Sequence, residues 1–298
     1  MELSSRFVGT PLKDYHTEIT WRQTTNYAAA IDDNNDYYLD DVREGGIVAP
    51  PMFSVAVTWP ILERIWEYIE AKDFPLEVLM TQVHHTESLE FHRPLRPGDR
   101  LRVKGQVAAI LPHRAGTRVV IRFEALDRSG TPVFTEHTGA LLRGVKCTDD
   151  GSVANRLPEG PPWEEKAEPL WESRIPIDPL RSHIYDGCTN IVFPIHTSKS
   201  FARQVGLPGT ILQGTATFAL AVREILNKEA GRNPFTLKSV FGRFTGMVLP
   251  GTEIRVQLVG KKGPPDGRHL YFIVLNQEGQ KALSGGYAFL KKDLSVHL

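Results

Sequence analysis

The residues best suited to chemistry lie in Tyr185-Asp186-Gly187-Cys188-Thr189-Asn190-Ile191-Val192-Phe193-Pro194-Ile195-His196-Thr197 and, a little further on, Gly209-Thr210-Ile211-Leu212-Gln213-Gly214-Thr215-Ala216. His196 is the side chain of this segment able to titrate near neutral pH. Asn190, six residues before it, can orient a water through its amide but cannot take a proton. Two polar groups on one loop can hold one water between them. A helix beginning at Gly214 would offer unpaired N–H groups and a positive dipole end to a developing oxyanion. Other readings stay open: Pro-Ile-His also suits a turn ahead of a helix, Gly214 could serve close helix–sheet packing, and Cys188 reads as an inert buried thiol. Asp186 is a nearby carboxylate with no assigned part.

The elements around these residues occur twice. Pro97-Gly98-Asp99-Arg100-Leu101-Arg102-Val103 matches Pro250-Gly251-Thr252-Glu253-Ile254-Arg255-Val256 at an offset of 153, Ile47 to Pro51 can be set against Thr210 to Gly214 at 163, and Asp33 to Tyr38 against Ile191 to His196 at 158. The order repeats while loop lengths drift, as after duplication of one unit. Each copy predicts a short helix (Trp21–Ile31; Ser198–Val205), then an apolar one (Met52–Tyr68, kinked at Pro60; Gly214–Leu226). About four alternating, β-branched runs follow: Val78–Phe91, Arg100–Leu111, Thr117–Leu126 and Val133–Leu142 in the first copy, Phe235–Phe244, Thr252–Val259, His269–Leu275 and Lys281–Leu290 in the second. Consecutive strands predict an α+β fold in which each antiparallel sheet wraps a helix, and disfavour a doubly wound α/β sheet. Proline, glycine and charge between Thr148 and Trp171 mark a linker. The expected units are residues 1–148, a linker at 149–175, and 176–298.

The chain has 298 residues, with Lys+Arg 35 balanced by Asp+Glu 35 and a hydrophobic content of 41%. That predicts about two folded domains and argues against disorder. Zero net charge gives no whole-chain pull toward nucleic acid or an anionic membrane. No secretory leader is read in Met1–Thr10, and the uncharged run Gln204–Val222 carries too many Gly, Pro and Thr residues for a span. Cys147 and Cys188 make no disulfide framework and predict a reducing compartment, the cytoplasm. Adjacent His84 and His85 point to opposite faces of their strand, so no metal site is expected there or at His92. No phosphate-loop, dinucleotide or Gly-x-Ser-x-Gly pattern is present, and no cofactor is expected.

The segment ending in Pro194-Ile195-His196, the Gln213-Gly214 pair, the Phe91-His92-Arg93-Pro94-Leu95-Arg96-Pro97-Gly98-Asp99 run and the duplication together resemble the MaoC-like hydratase/dehydratase family, which includes (R)-specific enoyl-CoA hydratases. The resemblance covers nearly the whole chain outside the linker. It implies a double hot-dog, two sheets each curled around a central helix, imitating a dimer within one chain. It also implies reversible hydration of a trans-2-enoyl thioester, with acyl-CoA as the partner molecule. In that motif an Asp and a His activate water, and an N–H at the start of the central helix polarises the thioester carbonyl. By match, His196 and Gly214 take the roles of the His and the helix start, and Asn190 stands in the Asp place. Phe193 replaces the motif's Asn and Gln213 its second His, which leaves His196 to move the proton alone. If the spacing is five residues, Ile191 takes the Asp place. Gln213 and Arg243 are expected to contact substrate, with Lys238, Lys261 and Lys262 as further cations for CoA phosphates. In the first copy, Asp33 and Asn35 read as loop and capping residues, Tyr38 stands where the His would be, and the copy is expected to shape the acyl pocket. Two alternatives remain: a silent acyl-thioester-binding or complex-forming protein, and a thioesterase, which would want a carboxylate that Met52–Trp59 and Thr215–Val222 do not offer. The fused pair can be self-sufficient, and a homodimer is also compatible.

Overall fold

Runs that alternate apolar and polar residues between glycine-bearing turns become strands here, and the uncharged stretch after each motif becomes a helix they enclose. The computed structural model describes residues 1–163, 168–263 and 266–292. The first half contains β1 (Pro11–Glu18), α1 (Trp21–Ala30), α2 (Ser54–Glu63), β2 (Gln82–Phe91), β3 (Arg100–His113), β4 (Gly116–Leu126) and β5 (Pro132–Arg143). The second contains β6 (Trp171–Pro176), α3 (Arg181–Thr189), α4 (Lys199–Gln204), α5 (Gly214–Glu229), β7 (Leu237–Phe244), β8 (Glu253–Lys262), β9 (Gly267–Leu275) and β10 (Lys281–Lys291).

The strands pair antiparallel in the order β1-β3-β4-β5-β2-β7-β10-β9-β8-β6. The two curled sheets are joined edge to edge: β2 and β7 pair with each other, and with the two-residue strand Ser152–Val153 on β3 they form one continuous 11-stranded sheet among the described residues. An open strand edge leaves a row of unpaired N–H and C=O groups, which this pairing satisfies. Its register is symmetric. Arg243 faces Thr86, Phe241 faces Ser88 and Ser239 faces Glu90; the 153-residue offset maps each pair onto another of the three or onto itself. The Ser88–Phe241 pair thus marks a pseudo-twofold axis.

Each half has one long strand more than the sequence patterns indicate, and the first also carries the two-residue strands Glu2–Leu3, Lys146–Cys147 and Ser152–Val153. β1 and β6 lie at the two ends of the sheet and pair on one side only. β6 occupies the end of the segment expected to be linker, so the second unit's sheet starts at Trp171. Trp163, also in that segment, stacks on Tyr271 at 4.4 Å between centroids and donates from its indole to the Val259 carbonyl. The first apolar helix is divided, though not at Pro60. A turn at Pro51–Phe53 leads into α2, which runs through Pro60 and breaks at Arg64 (φ −125°, ψ 41°) before Ile65–Tyr68. Proline removes one intrahelical bond, and the helix tolerates that loss here.

α5 buries Ala216, Phe218, Leu220, Val222 and Ile225 around most of its circumference, as a helix enclosed by a sheet must. Polar residues stitch the halves together. The Tyr27 and Tyr185 hydroxyls lie 3.1 Å apart, Tyr185 donates to Thr215 Oγ1 at the start of α5, and Arg181 donates to the Ala30 carbonyl and to Asp32. Among the described residues no helix is long and apolar enough to cross a membrane, and Cys147 and Cys188 are free thiols.

Candidate active site

His196 closes a short 3-10 turn, Pro194–His196, where Pro194 at the first position suits the turn's φ. Its Nδ1 lies 2.9 Å from the Ile211 carbonyl oxygen. A carbonyl can only accept, so Nδ1 carries the proton and Nε2 keeps its lone pair. Nε2 has no hydrogen-bond partner among the described residues. Burial pushes the ring down to about 4, against a lift from the Ile211 bond, so it is neutral at neutral pH. Ser182 Oγ donates to the same Ile211 oxygen at 3.3 Å. His196 is therefore anchored to the backbone three residues before α5 begins.

At the start of α5, Gln213 is buried. Its Nε2 donates to the Ser182 carbonyl at 3.0 Å, while its Oε1 is buried without a protein partner. Gly214 packs under Phe244: a Cβ there would stand 3.1 Å from the ring. The ring of His84, on β2 of the other half, lies 4.5 Å from that of Phe244.

Asn190 has a different position from the one expected of a water-holding group. It is the C-cap of α3 at φ 56°, ψ 23°, a left-handed conformation that Asn adopts more readily than most residues, and it is exposed. Asp32 after α1 has the same left-handed conformation, φ 50°. The two positions correspond at the 158-residue offset, so Ile191 is the counterpart of Asp33. Ile191 is 3% exposed. The five-residue spacing is thus the one this geometry follows, and an apolar side chain occupies the carboxylate place. Asp186, one turn earlier on α3, has a buried Oδ2 with no partner, and burial raises its carboxyl.

The first half's counterparts do structural work. Asn35 accepts from the Tyr37 N–H, capping Asp36–Leu39, and donates to the Arg232 carbonyl. The buried Asp33 accepts from the Asn35 N–H, and Tyr38 is buried completely. Around Pro50 and Pro51, the counterparts of Gln213 and Gly214, lies a cleft of about 250 Å³ whose lining includes Phe91, Phe235, Leu237 and Lys238.

Arg243 is exposed on β7 opposite Thr86. It lies with Arg118 beside His85, and burial together with those two charges holds His85 low. Lys238 donates to the Phe91 carbonyl at 3.3 Å, and Lys261 is paired with Glu229. Arg118, His84 and His85 carry no signal in the local sequence, because they join Arg243 and Phe244 only through the β2–β7 pairing. Among the described residues no group of three or more His, Cys, Asp or Glu side chains could hold a metal.

The two wrapped helices, the symmetric β2–β7 seam and the His196–Gly214 corner define a double hot-dog with one motif-bearing half. Residues 163–269 match the family model described as MaoC like domain, and residues 6–136 match that of the FAS1-like dehydratase domain region. The second half is thus a MaoC-like domain, and the first half matches a dehydratase domain region. It is 26% identical over 211 residues to the peroxisomal multifunctional enzyme type 2 of Drosophila melanogaster, covering 70% of this chain and 34% of that one. It therefore spans about a third of that relative's length. It is 22% identical over 284 residues to the probable enoyl-CoA hydratase 2 of Dictyostelium discoideum, covering 94% of each. A MaoC-like dehydratase from Phytophthora capsici superposes with a TM-score of 0.82 at 21% identity, covering 97% of this chain and 98% of that one. A conserved protein of Mycobacterium tuberculosis described as having a double hotdog fold superposes at 0.57 with 14% identity, covering 94% and 96%.

Proposed function

We propose that this chain adds water reversibly to a trans-2-enoyl thioester, carried by CoA, at the corner formed by His196 and Gly214. The observation that carries this reading is the His196 Nδ1–Ile211 bond of 2.9 Å. It supports a tautomer that leaves Nε2 as a free base, on a ring tied to the backbone three residues ahead of α5. In the hydration direction Nε2 takes a proton from water as the oxygen bonds to C3. The π pair moves onto the thioester oxygen, which the Gly214 N–H and the helix dipole stabilise. The enolate then recovers the proton from His196 at C2, so the enzyme returns unchanged. Arg243 and Arg118 supply positive charge for CoA phosphates, and the free thiols fit a reducing compartment such as the cytoplasm. Names of relatives such as the Dictyostelium discoideum protein support this chemistry for the family.

A second reading, a silent acyl-thioester binder, is favoured by Ile191 in the carboxylate place and by Gln213 tied to Ser182. Loss of the enoyl-thioester absorbance with crotonyl-CoA and longer enoyl-CoAs separates the two. Turnover supports the hydratase reading, whereas saturable binding without any turnover supports the binder.

A further inference from the structure

A water has two hydrogens to place, and the motif's own loop offers a single acceptor. We infer that His84, contributed by the first half across the β2–β7 seam, is the second catalytic acceptor of the C-terminal site, held in its tautomer by the Thr86 carbonyl. The inference rests on the hydratase reading above.

Two independent observations place His84 there. The first is direct: its ring lies 4.5 Å from that of Phe244, and Phe244 covers Gly214. The second is the pseudo-twofold. The first half's cleft is lined by Pro50, Pro51 and Phe91 from one half and by Leu237 and Lys238 from the other. The repeat offsets carry these five positions onto Gln213, Gly214, Phe244, His84 and His85. By that correspondence His84 and His85 stand toward the start of α5 as Leu237 and Lys238 stand toward the first half's cleft.

The surroundings of His84 fix how its ring is presented. Nε2 lies 3.2 Å from the Thr86 carbonyl oxygen, 3.1 Å from Glu87 Oε2 and 3.2 Å from Thr138 Oγ1. The Thr86 carbonyl demands a donor, so the proton sits on Nε2 and Nδ1 keeps its lone pair. Nδ1 has no partner among the described residues, and the side chain is 33% exposed, against 1% for Glu87. A ring whose inner nitrogen is held by protein acceptors, and whose other nitrogen is unpartnered, is arranged to accept a hydrogen bond there. With His196 Nε2 taking one water hydrogen and His84 Nδ1 accepting a bond from the other, the water's lone pair is turned toward C3. The proton moved by His196 returns to C2, and His84 remains neutral throughout. His84 thereby supplies the acceptor lost where Ile191 replaces a carboxylate.

The test compares His84→Leu with His84→Asn in the full chain. Leu keeps packing against Phe244 without an acceptor, whereas the Asn side-chain oxygen stands near where Nδ1 was. Crotonyl-CoA turnover is read beside thermal melting and KM. In His84→Leu, kcat should fall by about 10²-fold or more with KM changed less than about threefold. His84→Asn should retain at least about ten times the kcat of His84→Leu. Wild-type kcat in His84→Leu, equal losses in both variants, or a loss confined to KM overturns the assignment while leaving the hydratase reading intact. If His84→Leu does not fold, His84→Met compared with His84→Gln gives the same decision: Gln should retain at least about ten times the kcat of Met, and equal kcat values overturn the role. If the wild-type protein itself turns over no enoyl-CoA, the hydratase reading fails and this inference falls with it.

Discussion

Asn190 and Ile191 are neighbours with opposite duties. Asn190 holds the left-handed cap that lets the chain leave α3, while Ile191 fills a buried position that corresponds to the carboxyl-bearing Asp33. Asn190→Gly should therefore leave kcat unchanged and stability within a few tenths of a kcal/mol, since Gly is at ease in that conformation; a large fall in kcat would show that its amide holds the water after all. Ile191→Asp restores a carboxylate where the fold puts that position. It should raise kcat by about 10-fold or more at a cost of about 2–4 kcal/mol from the buried charge and lost packing. Steady-state turnover beside urea unfolding checks both. The pairing of His196 with Gly214 was legible from local spacing, because a turn and the helix after it are close in sequence. The displacement of Asn190 was not, because a one-residue choice of register depends on where α3 ends, and helix ends are set by capping geometry as much as by residue type. His84 and Arg118 were out of reach for a different reason: their nearness to the site is created by a strand pairing between segments some 150 residues apart.

The elements that carry the site are held by contacts that leave little slack. Gly214 sits at the first position of α5 with the Phe244 ring against it. Gly214→Ala would place a methyl group 3.1 Å from that ring, tighter than ordinary van der Waals contact. Phe244 must then shift, and His84 with it. We expect kcat to drop about tenfold with a stability change of about 1 kcal/mol; an unchanged kcat would mean the ring can yield without disturbing the site. β2 and β5 carry a second constraint, the buried Glu87 and Glu136. Burial, then the charge of Glu87, raises Glu136, and burial raises Glu87. A carboxyl whose folded value lies above its unfolded one contributes stability that is complete below about 4.5 and is lost as pH rises. His137 and His196 act in the opposite sense. Burial lowers both to about 4, so the unfolded chain binds their protons first, and stability falls as pH drops from about 6.5 to about 4. Relative to the Glu87→Gln/Glu136→Gln variant, the wild-type protein should lose stability as pH rises above about 4.5, measured by chemical unfolding across pH. A constant difference would remove the carboxyl pair from the account. The central strands were read from alternation alone. β1 and β6 were not, because a strand paired on one side with a half-exposed face has a weaker apolar pattern.

At the scale of the molecule, the two halves make one sheet and, in the proposed mechanism, one site. Through β2 the first half closes the seam and brings His84 against the Phe244 ring, and Arg118 feels the charge of Arg243. Residues 171–298 produced alone would expose β7 as an open edge and leave the site without its cross-half residues. Such a fragment should self-associate or aggregate, as read by size-exclusion chromatography, and should turn over no enoyl-CoA. A monomeric fragment with full activity would contradict the shared site. The duplication was readable from repeated Pro-Gly strand starts, but its purpose was not, since the offsets say which positions correspond and nothing about which of them meet across the axis. The account stands most directly on one comparison: crotonyl-CoA hydration by the wild-type chain and by His196→Ala, followed at the enoyl-thioester absorbance at one pH. The predicted result is turnover by the wild-type protein and a loss of about 10²–10⁴-fold in kcat in His196→Ala with thioester binding retained. Equal turnover by the two proteins would contradict it.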